Sequence, residues 1–331
     1  MRRNTRRFTW SDYFGNKIKA DQTQNGSSIC DETSSNNYYI FNCNFDECIE
    51  KGAIYIHRIN EIYTLLEDSV FNRCKSTSEG GSVFYYCNEG QIVQQRNCYF
   101  KSISKNSRNA FFQYIKWNSA NKNYAFQISI SECGESESKT MYTFSMAFSD
   151  IRIEYNNITY NKCRQFSSVE SCLCGIPTNC KFATFRENNQ TGSISLAFIH
   201  NINQTPKLQT VSHCNVIGNK CGTNSNQALF YCNYDANVNY CVFYKNIAIF
   251  TFFIERPNYK LTVTGSYFDS GSKTGTGSII FEKNNYKYNP INISHFYTEN
   301  CFIEQKVITL KISYLSACVE TLIEYFSYII Y

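Results

Sequence analysis

The sequence predicts an all-β fold, a parallel β-helix (solenoid) of about ten turns with a cap at each end. A phrase returns along the chain: FNCNFDECIEKGAIYIH at residues 41–57 comes back as FNRCKSTSEGGSVFYY at 71–86. Aromatic residues make up 16% of the chain and only 4 of its 331 residues are Pro, a composition that favours strands. The repeated units show no helical periodicity, so we expect them to be built from strands.

The repeated unit has the length of one β-helix turn. Its second strand recurs with a mean spacing of about 28 residues. Three short strands joined by turns fill that length, whereas a propeller blade needs about 40 residues. Equivalent strands of neighbouring turns would pair in parallel at about 4.8 Å. The ten second strands are located at Ala53, Ser82, Ala110, Met141, Val169, Ile194, Ala228, Phe250, Ser278 and Val307.

The two ends of the chain depart from the repeat. Residues 1–36 lack the phrase, and we expect an N-terminal arm or cap there. Residues 37–312 would form the β-helix. Residues 313–331 are predicted as a C-terminal cap, because a solenoid must close its last turn. Leu315, Val319 and Leu322 fall at helical spacing and favour a helix, and a final strand or a truncated end is the alternative.

A β-helix stacks equivalent side chains in its interior, and the phrase predicts two such stacks. The first is aromatic and apolar, and consists of Phe45, Phe71, Phe100, Ile130, Tyr160 and Phe185. The second consists of Cys48, Cys74, Cys133, Cys163 and Cys221. Cys packs like a small hydrophobic residue and suits a tight corner, so we expect free, buried thiols in the second stack.

Aromatic residues also recur in the second strand, where alternation sends about half of them outward. The candidate ligand-facing residues are Tyr55, Tyr85, Tyr142 and Tyr231. An outward row of tyrosines could stack on sugar rings or contact a protein partner. A purely structural stack is the alternative interpretation.

The cysteines and histidines do not predict a metal or cofactor site. The 17 Cys include no CxxC pair, and the four His lie far apart, so we expect no structural zinc and no cofactor. The segment CLCGIPTNC at 172–180 is interpreted as a loop. A disulfide-closed turn among Cys172, Cys174 and Cys180 is the alternative for an oxidising compartment.

The sequence predicts no catalytic residues. Carbohydrate-cleaving enzymes need carboxylates close together, which on a β-helix means matching positions on neighbouring turns. Asp46 and Asp269 share a position in the repeat but lie about eight turns apart. His57 and His200 occupy different positions and are interpreted as surface residues. We therefore expect a protein that is not an enzyme.

The phrase resembles a known family. Phe45, Cys48 and residues 52–55 in one unit, with residues 71–84 in the next, are similar to the repeats of polymorphic outer-membrane-protein-like families of parasitic protists. These belong to the right-handed parallel β-helix superfamily of pectin-lyase-like architecture. The resemblance implies a right-handed coil and a surface or adhesion role. The chain departs from the family because its N-terminus has no apolar signal segment and no run is long enough to span a membrane.

These observations lead to one expected function and two alternatives. We expect a non-enzymatic surface or adhesion-type binding protein that presents a β-helix face to a glycan or to a host or cell-surface protein. A β-helix polysaccharide lyase or glycoside hydrolase is one alternative, and a truncated family member without independent function is the other. The net charge of +5 is mild for this length, so we do not expect a nucleic-acid partner.

Overall fold

The computed structural model describes residues 8–22, 27–33, 36–116, 121–173, 178–200, 208–222, 227–284, 287–291 and 301. These residues form a parallel β-solenoid, in which each turn contributes one strand to each of three long sheets. The chain passes from sheet A through a tight corner to sheet B, through a second corner and a loop to sheet C, and back to sheet A. The predicted fold class is confirmed.

The bounds of the strands are as follows. Sheet A contains Ala20–Gln22, Tyr38–Phe41, Tyr63–Glu67, Gln91–Gln95, Lys122–Phe126, Asp150–Glu154, Thr178–Lys181, Gln209–Ser212, Ala236–Asn239, Lys260–Thr264 and Ser278–Glu282. Sheet B contains Asn44–Asp46, Val70–Asn72, Cys98–Phe100, Ser129–Ser131, Asn157–Thr159, Thr184–Arg186, Asn215–Ile217, Val242–Tyr244 and Tyr267–Phe268. Sheet C contains Ile29–Asp31, Ile54–Arg58, Val83–Cys87, Arg108–Ile115, Tyr142–Ala147, Val169–Leu173, Ile194–His200, Ala228–Cys232, Phe250–Ile254 and Lys273–Gly275. Two short pairs join Lys75–Ser76 to Ile103–Ser104 and Lys162–Cys163 to Asn189–Gln190.

The solenoid has about eight turns of about 28 residues, fewer than the ten predicted. The first eight predicted second strands all lie in sheet C. The ninth, at Ser278, belongs to sheet A, and the tenth, at Val307, lies outside the described residues. Alternation of apolar and polar residues identifies a strand but does not say to which sheet it belongs, which is why the ninth assignment was wrong.

The interior aromatic stack runs along sheet B, and two of its predicted members, Phe100 and Tyr160, lie elsewhere. Parallel pairing joins Phe45 to Phe71 and then Phe71 to Tyr99, rather than to the predicted Phe100. Phe100 points outward and is half-buried, with the Lys101 ammonium 4.5 Å from its ring centroid. A register error of one residue moves a side chain to the opposite face of a strand. The stack is Phe45, Phe71, Tyr99, Ile130, Ile158, Phe185, Val216, Phe243 and Phe268.

Tyr160 was also predicted for this stack, and the structure places it elsewhere. Ile158 holds the interior position, while Tyr160 is 46% exposed at the next corner. Its φ is 59°, in the left-handed region. Most turns use this construction, in which a corner residue of positive φ is followed by a short side chain that faces inward.

The short inward side chains at the corner after sheet B form a ladder along the solenoid. Its members are Cys48, Cys74, Ser102, Cys133, Asn161, Asn188, Asn219 and Asn246. The Asn188 main-chain N–H donates to Asn219 Oδ1 at 3.0 Å, and the Asn219 N–H donates to Asn246 Oδ1 at 2.9 Å. These side chains satisfy main-chain N–H groups that the tight corner leaves without a strand partner.

The predicted cysteine stack therefore divides into two columns. Cys48, Cys74 and Cys133 lie in the corner ladder, whereas Cys163 lies two residues beyond it and pairs with Gln190. The Gln190 amide reaches Cys221 Sγ at 3.8 Å, which places Cys221 in the second column. All five are buried and none of them is in a disulfide.

The N-terminal region joins the solenoid earlier than residue 37. Ala20–Gln22 pairs with Tyr38–Phe41 in sheet A, and Ile29–Asp31 pairs with Ile54–Arg58 in sheet C. A short helix, Trp10–Phe14, precedes them and packs on the outer face of sheet A. The predicted C-terminal cap at 313–331 lies outside the described residues.

Candidate binding faces of the solenoid

The four tyrosines predicted to face a ligand do not form one outward row. Tyr85 points inward, is fully buried, and donates its hydroxyl to the Ile62 carbonyl at 2.9 Å. The outward position in that strand belongs to Phe84, which pairs with Tyr55. Tyr231 faces outward but is only 8% exposed. Tyr55 and Tyr142 are half-buried.

The outward aromatic rings of sheet C stack on one another. Tyr55 and Phe84 have ring centroids 4.7 Å apart with planes 12° apart, and Tyr86 and Tyr114 lie 4.4 Å apart at 3°. Each ring covers the face of the next, so mainly ring edges are turned outward. A sugar stacks on a free ring face. This arrangement therefore supports the structural interpretation of the row rather than a sugar-stacking platform.

A second aromatic ladder, which sequence reasoning missed, lies at the corner between sheets A and B. Tyr155, Phe182, His213 and Tyr240 each hold a corner position of positive φ. Their successive centroids are 5.0, 5.0 and 5.2 Å apart. Tyr155 is 38% and Tyr240 55% exposed. The signal in the sequence was an aromatic residue or His directly before a short corner residue at the repeat spacing.

The structure also brings together charged residues that the sequence did not connect. The Arg108 guanidinium lies between two rings, 4.2 Å from Phe112 and 4.5 Å from Tyr142. Its Nη1 is 2.7 Å from Glu79 Oε1, and its Nη2 is 3.7 Å from Glu170 Oε2. Glu79 and Glu170 do not share a position in the repeat, so the sequence pattern does not bring this Glu pair together.

Glu170 is the chemically unusual member of this Arg108 cluster. It is 9% exposed, and its carboxylate accepts a hydrogen bond from the Ser145 hydroxyl. Burial raises the pKa of Glu170, while Arg108 and Ser145 act in the opposite direction. A carboxyl of raised pKa beside a second carboxylate is the combination used in glycoside hydrolysis. Here both carboxylates contact the same guanidinium, and Glu170 is nearly closed to solvent. These two observations favour an ion-pair network that holds successive turns together over a catalytic pair.

The residues considered for catalysis from the sequence lie apart from this cluster. Asp46 pairs with Arg73 at 3.2 Å, and Asp269 accepts a hydrogen bond from the Lys245 main-chain N–H at 2.6 Å. His57 lies edge-on to Tyr86 with centroids 4.9 Å apart. The His200 side chain lies outside the described part of the structure. The described residues contain no group of three His, Cys, Asp or Glu that could hold a metal ion.

The outer face of sheet B meets a segment from the C-terminal side of the chain. Ile291 and Asn215 form two hydrogen bonds, from the Ile291 N–H to Asn215 Oδ1 at 3.0 Å and from Asn215 Nδ2 to the Ile291 carbonyl at 2.8 Å. The Tyr288 ring stacks on Tyr244 at 3.9 Å. Ile291 and Tyr288 therefore cover the outer face of sheet B at Asn215 and Tyr244.

A disulfide joins Cys301 to Cys98 in the same sheet, with Cα atoms 5.6 Å apart. This bond was not predicted, because nothing in the sequence connects two cysteines separated by 203 residues. The alternative bond considered for the 172–180 segment does not form between Cys172 and Cys180, neither of which is in a disulfide. Cys174 lies outside the described residues.

Sheet A is covered at its N-terminal end. Trp10 and Phe14 of the helix pack with Leu65, Val93 and Tyr124 on the outer face of the sheet. The Gln95 amide donates to the Phe8 carbonyl at 3.0 Å, and the Tyr13 hydroxyl donates to Gln95 Oε1 at 3.1 Å. The apolar part of this face is thus buried by the chain's own N-terminal segment.

The C-terminal half of sheet A is different. Four consecutive strands place two outward rows of short polar side chains side by side, which we call the polar grid. The polar grid consists of Asn179, Lys181, Thr210, Ser212, Asn237, Asn239, Thr262 and Thr264. All of its members are half-buried, as expected for outward positions in the middle of a part of the sheet on which no other described element packs. Its single charge, Lys181, lies 3.1 Å from Glu154.

No family model, no curated protein and no solved structure matches this chain. The resemblance to pectin-lyase-like and polymorphic outer-membrane-protein-like repeats therefore stays a hypothesis from the repeated phrase, and the observed fold is a parallel β-solenoid. Within the described ranges, the structure has no helix of the length and hydropathy needed to cross a membrane.

Proposed function

We propose that this protein is a non-enzymatic binding protein of the surface or adhesion type, which presents one outer face of its solenoid to a glycan or to a protein on a host or cell surface. One observation carries the proposal: the polar grid is a regular patch of polar side chains whose one charge, Lys181, is paired with Glu154. By contrast, the N-terminal half of the same sheet is packed under Trp10 and Phe14. A rigid scaffold that positions side chains at fixed spacing is well suited to recognition.

The disulfide supports a location outside the reducing compartments of the cell. Disulfides persist in secreted and surface proteins and are rare where thiols are kept reduced. The Cys98–Cys301 bond joins distant parts of the chain, while 13 described cysteines are not in disulfides, most of them buried. Buried thiols are protected from oxidants, so their presence is compatible with an oxidising compartment.

The enzymatic alternative has one observation in its favour, the Glu79–Arg108–Glu170 arrangement. Against it stand the 9% exposure of Glu170 and the ion pairing of both carboxylates. A hydrolase needs its acid open to the glycosidic oxygen. We therefore prefer the binding function to the enzymatic alternative. A substitution of Glu170 distinguishes them, because only the enzyme would need this carboxyl.

The test uses the full chain purified under oxidising conditions, labelled and applied to a glycan array and to intact cells before and after surface proteolysis. We expect saturable binding to at least one of these surfaces and no release of reducing sugars from the carbohydrates offered. The Glu170→Gln variant should bind as the wild type does. Absence of binding to every surface would overturn the proposal. It would favour the alternative interpretation, that the chain is a truncated protein without independent function. Sugar release that Glu170→Gln abolishes would establish the enzyme instead.

A further inference from the structure

The polar grid carries hydrogen-bonding groups that the described part of the protein does not use. Its Thr, Ser and Asn side chains at 210, 212, 237, 239, 262 and 264 lie on adjacent strands in register. Within the described ranges, none of these six side chains has a hydrogen-bond partner in the protein. Elsewhere the same residue types are engaged, as in the interior ladder, where Asn188 bonds to Asn219. The donors and acceptors of these six side chains are therefore open to water or to a ligand.

The spacing of the grid selects the shape of the ligand. Adjacent strands lie about 4.8 Å apart, and outward residues along one strand are separated by about two residue rises, roughly 6.7 Å. Thr210, Asn237 and Thr262 thus form a row along the solenoid axis, with Ser212, Asn239 and Thr264 beside it. A ligand that meets every position must itself repeat along its length and lie along the axis of the solenoid.

The charge of the grid indicates the chemistry of the ligand. Lys181 is the only charged member, and Glu154 pairs with it, so the grid itself presents no unpaired positive charge to an acidic polymer. Nucleic acid would require several Lys or Arg contacts to phosphate. Protein interfaces favour a central aromatic or Arg anchor, and the rows of the grid contain neither. The aromatic ladder of Phe182, His213 and Tyr240 lies at one edge of the grid rather than at its centre. An uncharged polymer rich in hydroxyl groups matches both the donors and acceptors and the absence of charge.

We propose that the polar grid is a binding site for an extended neutral polysaccharide lying along the solenoid axis. Thr and Asn side chains bond to sugar hydroxyls, and the Thr methyl groups contact the apolar faces of the sugar rings. The inference rests on the proposed binding function and assigns its ligand class and its face. Row repetition makes the site multivalent, so weak individual contacts add along the chain of sugars.

The experiment measures retardation of the full chain in native gels that contain hydroxyethylcellulose or laminarin as neutral probes, or polygalacturonate as an acidic probe. We expect retardation by at least one neutral probe and none by polygalacturonate. The double variant Thr210→Val/Thr262→Val removes two hydroxyls but keeps the β-branched shape, and it should weaken binding at least tenfold with an unchanged Tm. Thr274→Val, an outward residue of sheet C, is the matched control and should bind as the wild type does.

Three results would overturn the inference: no retardation by either neutral probe, retardation by polygalacturonate alone, or equal binding by the double variant and the wild type. Each of these is separable from failure of the proposed function. If the labelled chain still binds proteolysis-sensitive sites on cells while neutral probes are ignored, the binding function stands with a protein partner, and only the assignment of the polar grid falls.

Discussion

Asn188 illustrates how a single side chain joins three turns of the solenoid. Its Oδ1 accepts from the Asn161 main-chain N–H at 3.1 Å, and its amide donates to the Ile158 carbonyl at 2.9 Å on one neighbouring turn and to Asn219 Oδ1 at 3.1 Å on the other. It is fully buried, so each of these bonds replaces water that cannot reach the corner. Cys and Ser hold the same position in other turns, where a short inward side chain is required. Much of the cysteine content is therefore explained by corner packing.

At the residue scale, Glu170 should make stability depend on pH. Its pKa in the folded protein is raised by burial, so between the ordinary carboxyl pKa and the raised value the folded state binds a proton that the unfolded chain has released. The free energy of unfolding contributed by this residue is therefore highest at low pH and falls as the pH rises through that window. Glu170→Gln should remove this contribution, so that the stability of the variant relative to the wild type increases from pH 4 to pH 7.

Urea unfolding midpoints of the two proteins at both pH values measure the effect. Glu282→Gln, at an exposed position of sheet A, is the control and should track the wild type. A difference between Glu170→Gln and the wild type that is the same at both pH values would contradict the prediction.

At the scale of elements, the N-terminal helix depends on the sheet beneath it. Its five residues, Trp10–Phe14, are too few to form a stable helix in isolation. Thr9 and Asp12 cap it, with the Thr9 N–H donating to Asp12 Oδ2 at 2.8 Å, but its position comes from the burial of Trp10 and Phe14 against sheet A. The same sheet is apolar under the helix and polar beyond it, so the side chains of each strand decide which part is covered.

Trp10→Ala should release this helix. Trp10 is 6% exposed, and its loss removes buried apolar area worth about 3 kcal/mol, which corresponds to an increase of roughly 100-fold in the undocked population. The rate of proteolytic cleavage near the N-terminus measures that population. Phe8→Ala changes a side chain that is 50% exposed and is the control. Equal cleavage rates in Trp10→Ala and the wild type would show that the helix is not held by this packing.

At the scale of the whole molecule, the disulfide links distant parts of the solenoid directly, a connection that few other contacts make. Each turn of a solenoid contacts chiefly its neighbours, so distant turns are linked only through those between them. Cys98 and Cys301 are separated by 203 residues, and joining them restricts the unfolded chain across most of the repeats. Long loops of this kind give the largest effect on the unfolded state.

Reduction should therefore destabilise the protein by about 3–5 kcal/mol. The measurement is the urea unfolding midpoint of the wild type with and without a phosphine reductant. The double variant Cys98→Ser/Cys301→Ser should have the lower stability in both conditions and no response to reductant. A response of the same size in that variant would mean that another cysteine pair is responsible.

The sequence by itself determined the all-β solenoid, its repeat of about 28 residues, and the corner position of Cys48 and Cys74, because periodicity and short-range chemistry are written into each unit. The tertiary structure alone decided which sheet a strand joins, as at Ser278, and which of two neighbouring aromatic residues faces inward, as at Tyr99 and Phe100. It also decided the Arg108 cluster, the Cys98–Cys301 bond and the rows of the polar grid. These depend on register and on contacts between distant turns, and a one-residue shift in register reverses the face that a side chain occupies.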